Sequence, residues 1–413
     1  MAGERKVKIP VDRLVPGLFI DLERSWMNHP FLFSKFKLMS VQEIAVLREL
    51  GITEVTVLPE LSDTKLPEME PAADVLTQQS LWREKHDKID QASIYRSSRH
   101  RIAARYQETV KRIKNLTTDL KSAPANAVRD AHTVAAEMAQ AFQKESNVLI
   151  NLVNLADQRF TMYNHTLNVT VLSLYMGSNL GFEQEQLRRL GLGAVMHDIG
   201  KSAVPAKILM KREALNPSEQ KLMQSHTLLG SRLVQQIDTL PPESLAIMEQ
   251  HHEFLDGSGY PKGLSGSDIS KMARIVAIAN LYDNLCNPPE AKNAMTPKNA
   301  MAVLFQKYKD RLDAQIVQRF IQTMGVYPPG TVVKLSDGSI GLVTAVDPKA
   351  LLKPQVLLYS DDIPRNEAVL VDLQKIAGLS VVDVLKAGPQ TERVFSYLGI
   401  QERVGYFFDQ RSA

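Results

Sequence analysis

Apolar residues return every three to four positions through most of residues 127–325, the period of helices that bury one face. Before and after that stretch the period shortens. In residues 7–58, "KVKIPVDRL", "LFIDLE" and "ITEVTVL" read as strands. They surround one helix, "SVQEIAVLREL", which Ser40 and Glu43 open as a capping box and Gly51 closes. Pro59, Pro67 and Pro71 mark a linker, and residues 78–121 read as one long polar helix rich in Lys and Arg, broken near Pro124. Within the helical stretch, Asn216-Pro217-Ser218-Glu219 and Thr296-Pro297 are helix starts, and Gly325 is a helix end. From Tyr327 onward, "GTVVKL", "IGLVTAV" and "QVLLYS" alternate as short strands around Asp337-Gly338 and Asp347-Pro348. The expected chain is mainly α: an all-helical domain flanked by a small N-terminal α+β domain and a small β-rich C-terminal domain. The expected divisions are 1–60, then 61–125 as linker and long helix, then the helical domain at 126–325 and the β-rich appendage at 326–413.

The helical pattern carries an anomaly. Five of the nine histidines fall between residues 165 and 252, and four of them sit on apolar stripes. His165 shares a face with Val169 and Leu172, His197 follows Leu187, Leu190 and Ala194, His226 lies with Leu222, Leu229 and Leu233, and His252 follows Leu245 and Met248. One such histidine is usually a hydrogen-bonded core residue. Four on separate helices call for a shared partner, because unpaired polar groups in a core cost several kcal/mol. A metal satisfies them all, since imidazole is its commonest protein ligand. Asp198 beside His197 can bridge two ions through its two oxygens, at a helix end where Gly200 can turn the chain. Lys201 then adds a cation where a phosphate could sit. Histidine and carboxylate without cysteine suit Fe or Mn first, with Zn, Ni and Mg also compatible. Six or more ligands exceed the demand of one ion, so a pair about 3.5–4 Å apart is expected.

Bulk composition narrows the partners. An apolar content of 44%, a charged content of 23% and a net charge of +3 suit a globular protein and give no sign of a nucleic-acid polymer as partner. No window of about 18 apolar residues appears, so no membrane span is expected. The single cysteine, Cys286, excludes an internal disulfide framework and fits the reducing cytoplasm, where we expect the chain to reside. The long helix allows a homodimer.

"HHEFLDGSGYPKGL" at 251–264 completes the pattern. Successive helical side chains diverge by about 100°, so paired histidines fit no ordinary packing scheme, and three glycines follow them. Taken with "HDIGK" at 197–201, His226 and "ARIVAIANLYDNL" at 273–285, the segment from about 150 to 325 resembles the HD-GYP family, a branch of the HD metal hydrolases. The N-terminal unit resembles a small domain of unknown function found ahead of such domains. The resemblance implies an HD-type, all-helical phosphodiesterase that cuts cyclic di-GMP to linear pGpG, with GMP left open as a later product. It implies His165, His197, Asp198, His226, His251 and His252 as metal ligands. It sets Lys201 by the substrate phosphate, and lines the substrate with the 257–261 loop of Gly257, Gly259, Tyr260 and Pro261. A hydroxide bridging the metals would attack phosphorus, stabilised by the metals and Lys201. Asp198 and Lys201 are then the catalytic pair.

Three positions depart from the family pattern. Asn280 stands where an aspartate ligand is usual, with Asp283 one turn on. Thr161 stands where three-metal members carry glutamate, which favours two ions. "CNPPEAKNA" replaces an Arg-Pro-Tyr segment, leaving Lys292 as a partial substitute. A weakly active or inactive domain that binds cyclic di-GMP or protein partners as a regulator is therefore the alternative, and another cyclic dinucleotide is a third. A diguanylate cyclase (GGDEF) or other protein partner is compatible with each.

Overall fold

The structure is a computed structural model. It describes residues 6–64, 78–120, 122–144, 150–154, 161–211, 213–235, 237, 240–290, 293–347, 350–386, 388, 390–399 and 404–408. The chain is mainly α, with an α+β N-terminal part and a β-rich C-terminal part. It forms two compact units, and neither is continuous in sequence.

The first unit takes residues 1–97, 332–342 and 355–398. Its N-terminal part contains β1 (Val7–Pro10), β2 (Phe19–Asp21), β3 (Lys35–Lys37), α1 (Val41–Glu49) and β4 (Glu54–Val57). The four strands pair antiparallel in the order β1-β4-β2-β3. The Ser40–Glu43 capping box opens α1, and Ile44, Val46 and Leu47 bury its inner face against Ile9, Ile20 and Val57. Residues 355–398 fold onto the same unit: Leu32 and Phe33 pack against Ile363 and Val369. Residues 332–342 and 355–398, which carry β-strands, group with the first ninety-seven residues.

Residues 98–331, 343–354 and 399–413 make the second unit. The long polar helix is α2 (Gln78–Asp119), followed by α3 (Pro124–Lys144) and β5 (Ile150–Asn154). Next come α4 (Met162–Asn179), α5 (Gln184–Met196), α6 (Ala206–Leu209), α7 (Pro217–Gln224), α8 (His226–Val234) and α9 (Pro242–Gln250). Then follow α10 (Lys271–Cys286), α11 (Pro297–Lys307) and α12 (Ala314–Met324). Helix α4 is the axis of this unit. Its residues 164–177 are all buried, and α3, α5, α10 and α12 pack around it.

Beyond α12, strands β6 (Val332–Leu335), β7 (Ile340–Ala345), β8 (Gln355–Leu358), β9 (Leu370–Asp372) and β10 (Val381–Leu385) form a sheet ordered β10-β6-β7-β8-β9. Helix α13 (Glu392–Leu398) precedes β11 (Val404–Phe408), which pairs antiparallel with β5.

Local punctuation follows the sequence closely. Asn216 caps α7 in a capping box with Glu219, Thr296 caps α11, and Gly325 ends α12 with φ of 79°. The stripe around His226 differs. A new helix begins at that residue, its buried face is His226, Thr227, Gly230, Ser231 and Val234, and Leu222 is exposed.

Candidate metal centre

The five histidines arrive from four elements. His165 lies in the first turn of α4, whose cap at Thr161 donates its hydroxyl and its N–H to Asn164 Oδ1 at 2.7 and 2.9 Å. The position four before the first histidine is therefore a helix cap. His197 ends α5, and Asp198 opens the 3-10 turn that follows. His226 opens α8, His251 ends α9, and His252 follows it.

The Asp198 carboxylate is the hub. Its Oδ2 lies 3.4 Å from His197 Nε2 and 3.6 Å from His165 Nε2, and its Oδ1 lies 3.3 Å from His226 Nε2 and 3.8 Å from His251 Nε2. His165, His197 and Asp198 form one group with ligand atoms within 4.8 Å of one another. Asp198, His226, His251 and His252 form a second. The carboxylate is common to both.

The opposite edge of each ring explains the aim. His197 Nδ1 donates to the Ala194 carbonyl at 2.7 Å, His226 Nδ1 to Met223 at 2.7 Å, and His251 Nδ1 to Met248 at 3.1 Å. His165 Nδ1 donates to Asp283 Oδ2 at 2.6 Å. A neutral imidazole has one proton. With that proton on Nδ1, every Nε2 turns a lone pair toward Asp198.

Burial keeps the His251 and His252 rings neutral. It holds His251 and His252 well below the ordinary histidine range, and the neighbouring imidazoles push the same way. Burial alone would raise Asp198, but the neighbouring charge, with Lys201 foremost, outweighs it and holds the carboxyl well below its usual range. Asp198 is therefore an anion in a ring of lone pairs.

The glycine-rich segment leans on this cluster. Tyr260 stacks on His252 with ring centres 4.5 Å apart and planes at 21°, and its N–H donates to the His252 carbonyl at 3.2 Å. At Gly259 a Cβ would sit 2.4 Å from Glu253 Cα and 2.6 Å from the His252 carbonyl oxygen, so only glycine fits. Gly257 has φ of 77°, and the Tyr260–Pro261 peptide is cis. Buried Glu253 fastens the far side, accepting from Lys262 N at 2.7 Å and Leu264 N at 3.1 Å.

With this geometry in hand, comparison with known proteins is decisive. Residues 147–316 match the HD domain family, and residues 6–131 match a domain of unknown function, DUF3391. The chain carries an HD domain behind a DUF3391 domain. A cyclic di-GMP phosphodiesterase of Pseudomonas aeruginosa is 28% identical over 94% of this chain and 91% of its own length. A cyclic di-GMP phosphodiesterase response regulator of Xanthomonas campestris is 33% identical over 36% of this chain and 39% of its own. A 3'3'-cGAMP-specific phosphodiesterase of Vibrio cholerae is 32% identical over 44% of this chain and 41% of its own. Among solved structures, an HDG"Y"P protein from Bdellovibrio bacteriovorus aligns at 17% identity and a TM-score of 0.46, over 76% of this chain and 98% of that one.

The HD domain fits divalent metal on its own atoms. His165 Nε2, His197 Nε2 and Asp198 Oδ1 are buried without a hydrogen-bond partner. His226 Nε2 and His251 Nε2 face each other at 3.3 Å with both protons committed elsewhere. Opposed lone pairs at that distance repel unless a cation lies against them.

Other expected site residues fall around the cluster. Lys201, about a quarter exposed, donates to Asp198 Oδ2 at 2.6 Å. Asn280 is buried on α10, and its amide oxygen accepts from Asn284 at 3.0 Å. Lys292 lies outside the described residues. Gly200 serves close packing and no left-handed turn. A Cβ there would meet the His226 carbonyl oxygen at 1.9 Å and Gly230 N at 2.4 Å. Reading the sequence missed the tasks of Glu253 and Gly230. The signal for Glu253 was its place between the paired histidines and the glycine loop. Gly230 showed only as a small residue four after His226.

Proposed function

We propose that this HD domain is a metal-dependent phosphodiesterase that hydrolyses cyclic di-GMP to linear pGpG, with further cleavage to GMP left open. The observation that carries the reading is four imidazole Nε2 atoms within 3.8 Å of one buried carboxylate. The ligands assigned are His165, His197, Asp198, His226, His251 and His252, for two ions with Fe or Mn preferred. Bound there, such ions supply an activated water and offset the charge on phosphoryl oxygens. The chain supplies the rest. Nδ1 hydrogen bonds to fixed carbonyls aim the imidazoles of His197, His226 and His251. Lys201, at the exposed edge, is assigned to the substrate phosphate. The Gly257–Pro261 loop, anchored by Glu253 and stacked on His252, is assigned to the nucleotide. Asn280, in place of an aspartate, removes one negative charge from the ligand set. A cytoplasmic site of action belongs to the same reading.

The relatives named as cyclic di-GMP phosphodiesterases support the substrate, and those named for 3'3'-cGAMP support a related one as the second choice. The neutral Asn280 favours a regulator reading, in which nucleotide binds without turnover. One experiment separates them. Protein purified without oxygen is assayed for bound metal and for cleavage of both cyclic dinucleotides, beside Asp198→Ala. The expected result is cyclic di-GMP turnover by the wild type, with loss of both metal and turnover in the variant. Turnover that survives in Asp198→Ala would remove the proposed mechanism. Nucleotide binding by metal-loaded wild type without cleavage would favour the regulator.

A further inference from the structure

His165 is the one ligand whose Nδ1 is held by a side chain, Asp283, and the aim of that side chain has a traceable cause. Asn168, one turn along α4, donates Nδ2 to Asp283 Oδ1 at 2.7 Å, and Asn287 donates to the same oxygen at 2.9 Å. With Oδ1 taken, Oδ2 is left to receive His165 Nδ1 at 2.6 Å. The Asn168 amide could in principle be turned either way. The backbone N–H of Tyr406 decides it, because an N–H only donates and it points at Asn168 Oδ1 at 3.1 Å. The Tyr106 hydroxyl donates to the same oxygen at 3.2 Å and accepts from Asn164 Nδ2 at 3.4 Å. Tyr106, Asn168, Asp283 and Tyr406 are all fully buried.

Two of these residues lie outside the stretch that matches the HD domain. Tyr106 belongs to the long helix α2 and Tyr406 to the C-terminal strand β11. Room for the tyrosine is made by Gly405, where a Cβ would lie 3.2–3.3 Å from the Tyr106 ring and hydroxyl. The Tyr106 ring also packs edge-on against Phe407, with centres 6.0 Å apart.

We propose that Tyr106 is a positioning residue for the metal ion held by His165 and His197, acting through Asn168 and Asp283. This rests on the metal centre proposed above. The relay has a direction. Withdrawing the Tyr106 hydroxyl removes one of the hydrogen bonds donated to Asn168 Oδ1 and leaves that from Tyr406 N–H, so the amide is held less tightly, and with it Asp283 and the aim of His165. The second group, His226, His251 and His252, takes its orientation from backbone carbonyls and Tyr260 and does not share the relay. Helix α2 thus reaches one of the two ion positions and leaves the other alone.

Calorimetric titration of the chelated full-length protein with Mn2+ tests this, comparing wild type, Tyr106→Phe and Asn168→Leu. Two binding events are expected in the wild type. In Tyr106→Phe one event weakens about threefold to tenfold, the worth of a hydrogen bond. In Asn168→Leu the same event weakens about tenfold to a hundredfold, the range for partners of a metal-bound histidine. The other event keeps its affinity in both. Tyr106→Phe preserves the ring and its packing, so that variant folds even where Asn168→Leu does not. Unchanged affinities in Tyr106→Phe, or equal weakening of both events, would overturn the relay and leave the centre standing. A wild type that binds no Mn2+ would take down the centre and the relay together.

Discussion

At the scale of single residues, the centre is defined by where protons sit. Three Nδ1 atoms donate to carbonyls three residues earlier in the chain, and the fourth donates to Asp283. That leaves lone pairs around an anion, an arrangement that costs free energy until a cation arrives. The cost depends on pH. His251 and His252 are held well below the ordinary range by burial, whereas in the unfolded chain they titrate near about 6.5. Below that pH the unfolded state binds protons that the folded state refuses, so stability falls as pH falls. Asp198 works in the opposite acid range. Its depressed carboxyl adds stability above about pH 4, which is lost only as pH drops toward the lowered value. Chelated protein should therefore melt several degrees lower at pH 5.5 than at pH 7.5 in thermal denaturation followed by circular dichroism. A melting temperature that is flat or rises on acidification would contradict neutral, buried imidazoles. These histidines were legible in the sequence because four of them stood at helical spacing from apolar residues. Asp283 was legible only as a structural acid one turn from Asn280, because nothing in a one-dimensional pattern tells a ligand from the group that orients it.

At the scale of elements, close approach between backbones sets the geometry. The turn after Asp198 touches α8 through Gly200 and Gly230, so the element carrying Asp198 rests directly on the element that begins with His226. Gly200→Ala would drive a methyl into the His226 carbonyl oxygen, and backbone cannot step aside as a side chain can. Overpacking of this kind costs about 1–3 kcal/mol, and here the strain falls on a ligand-bearing helix. The expected outcome is a lower melting temperature together with loss of bound metal in elemental analysis. Wild-type metal content in a folded Gly200→Ala would show that α8 can shift without moving His226. The sequence reading assigned Gly200 to a helix stop and treated Leu222 and His226 as one helical face. A break between two helices was hidden there, because Ser225 is neither Gly nor Pro and carries no strong stop signal.

For the whole molecule, the chain order conceals the compact units. Strands beyond residue 331 join the N-terminal α+β part, whereas β11 returns to pair with β5. Short strands advertise that they are strands, but β11 lies about 250 residues beyond β5 (Val404 opposite Asn154), so their pairing had no local signature. The helical unit was legible as a unit because its period and its histidines run together from α4 to α10. Among the described residues, no helix is long and apolar enough to cross a membrane. The proposed phosphodiester cleavage and the relay from Tyr106 depend on two cations sharing the Asp198 carboxylate. Anomalous X-ray scattering from crystals of anaerobically prepared protein, measured on either side of the Fe and Mn absorption edges, tests that directly. The account predicts two peaks, one against His165 and His197 and one against His226, His251 and His252, with Asp198 between them. Metal-replete crystals with no peak beside Asp198, or with a single peak that contacts only one of the two groups, would contradict it.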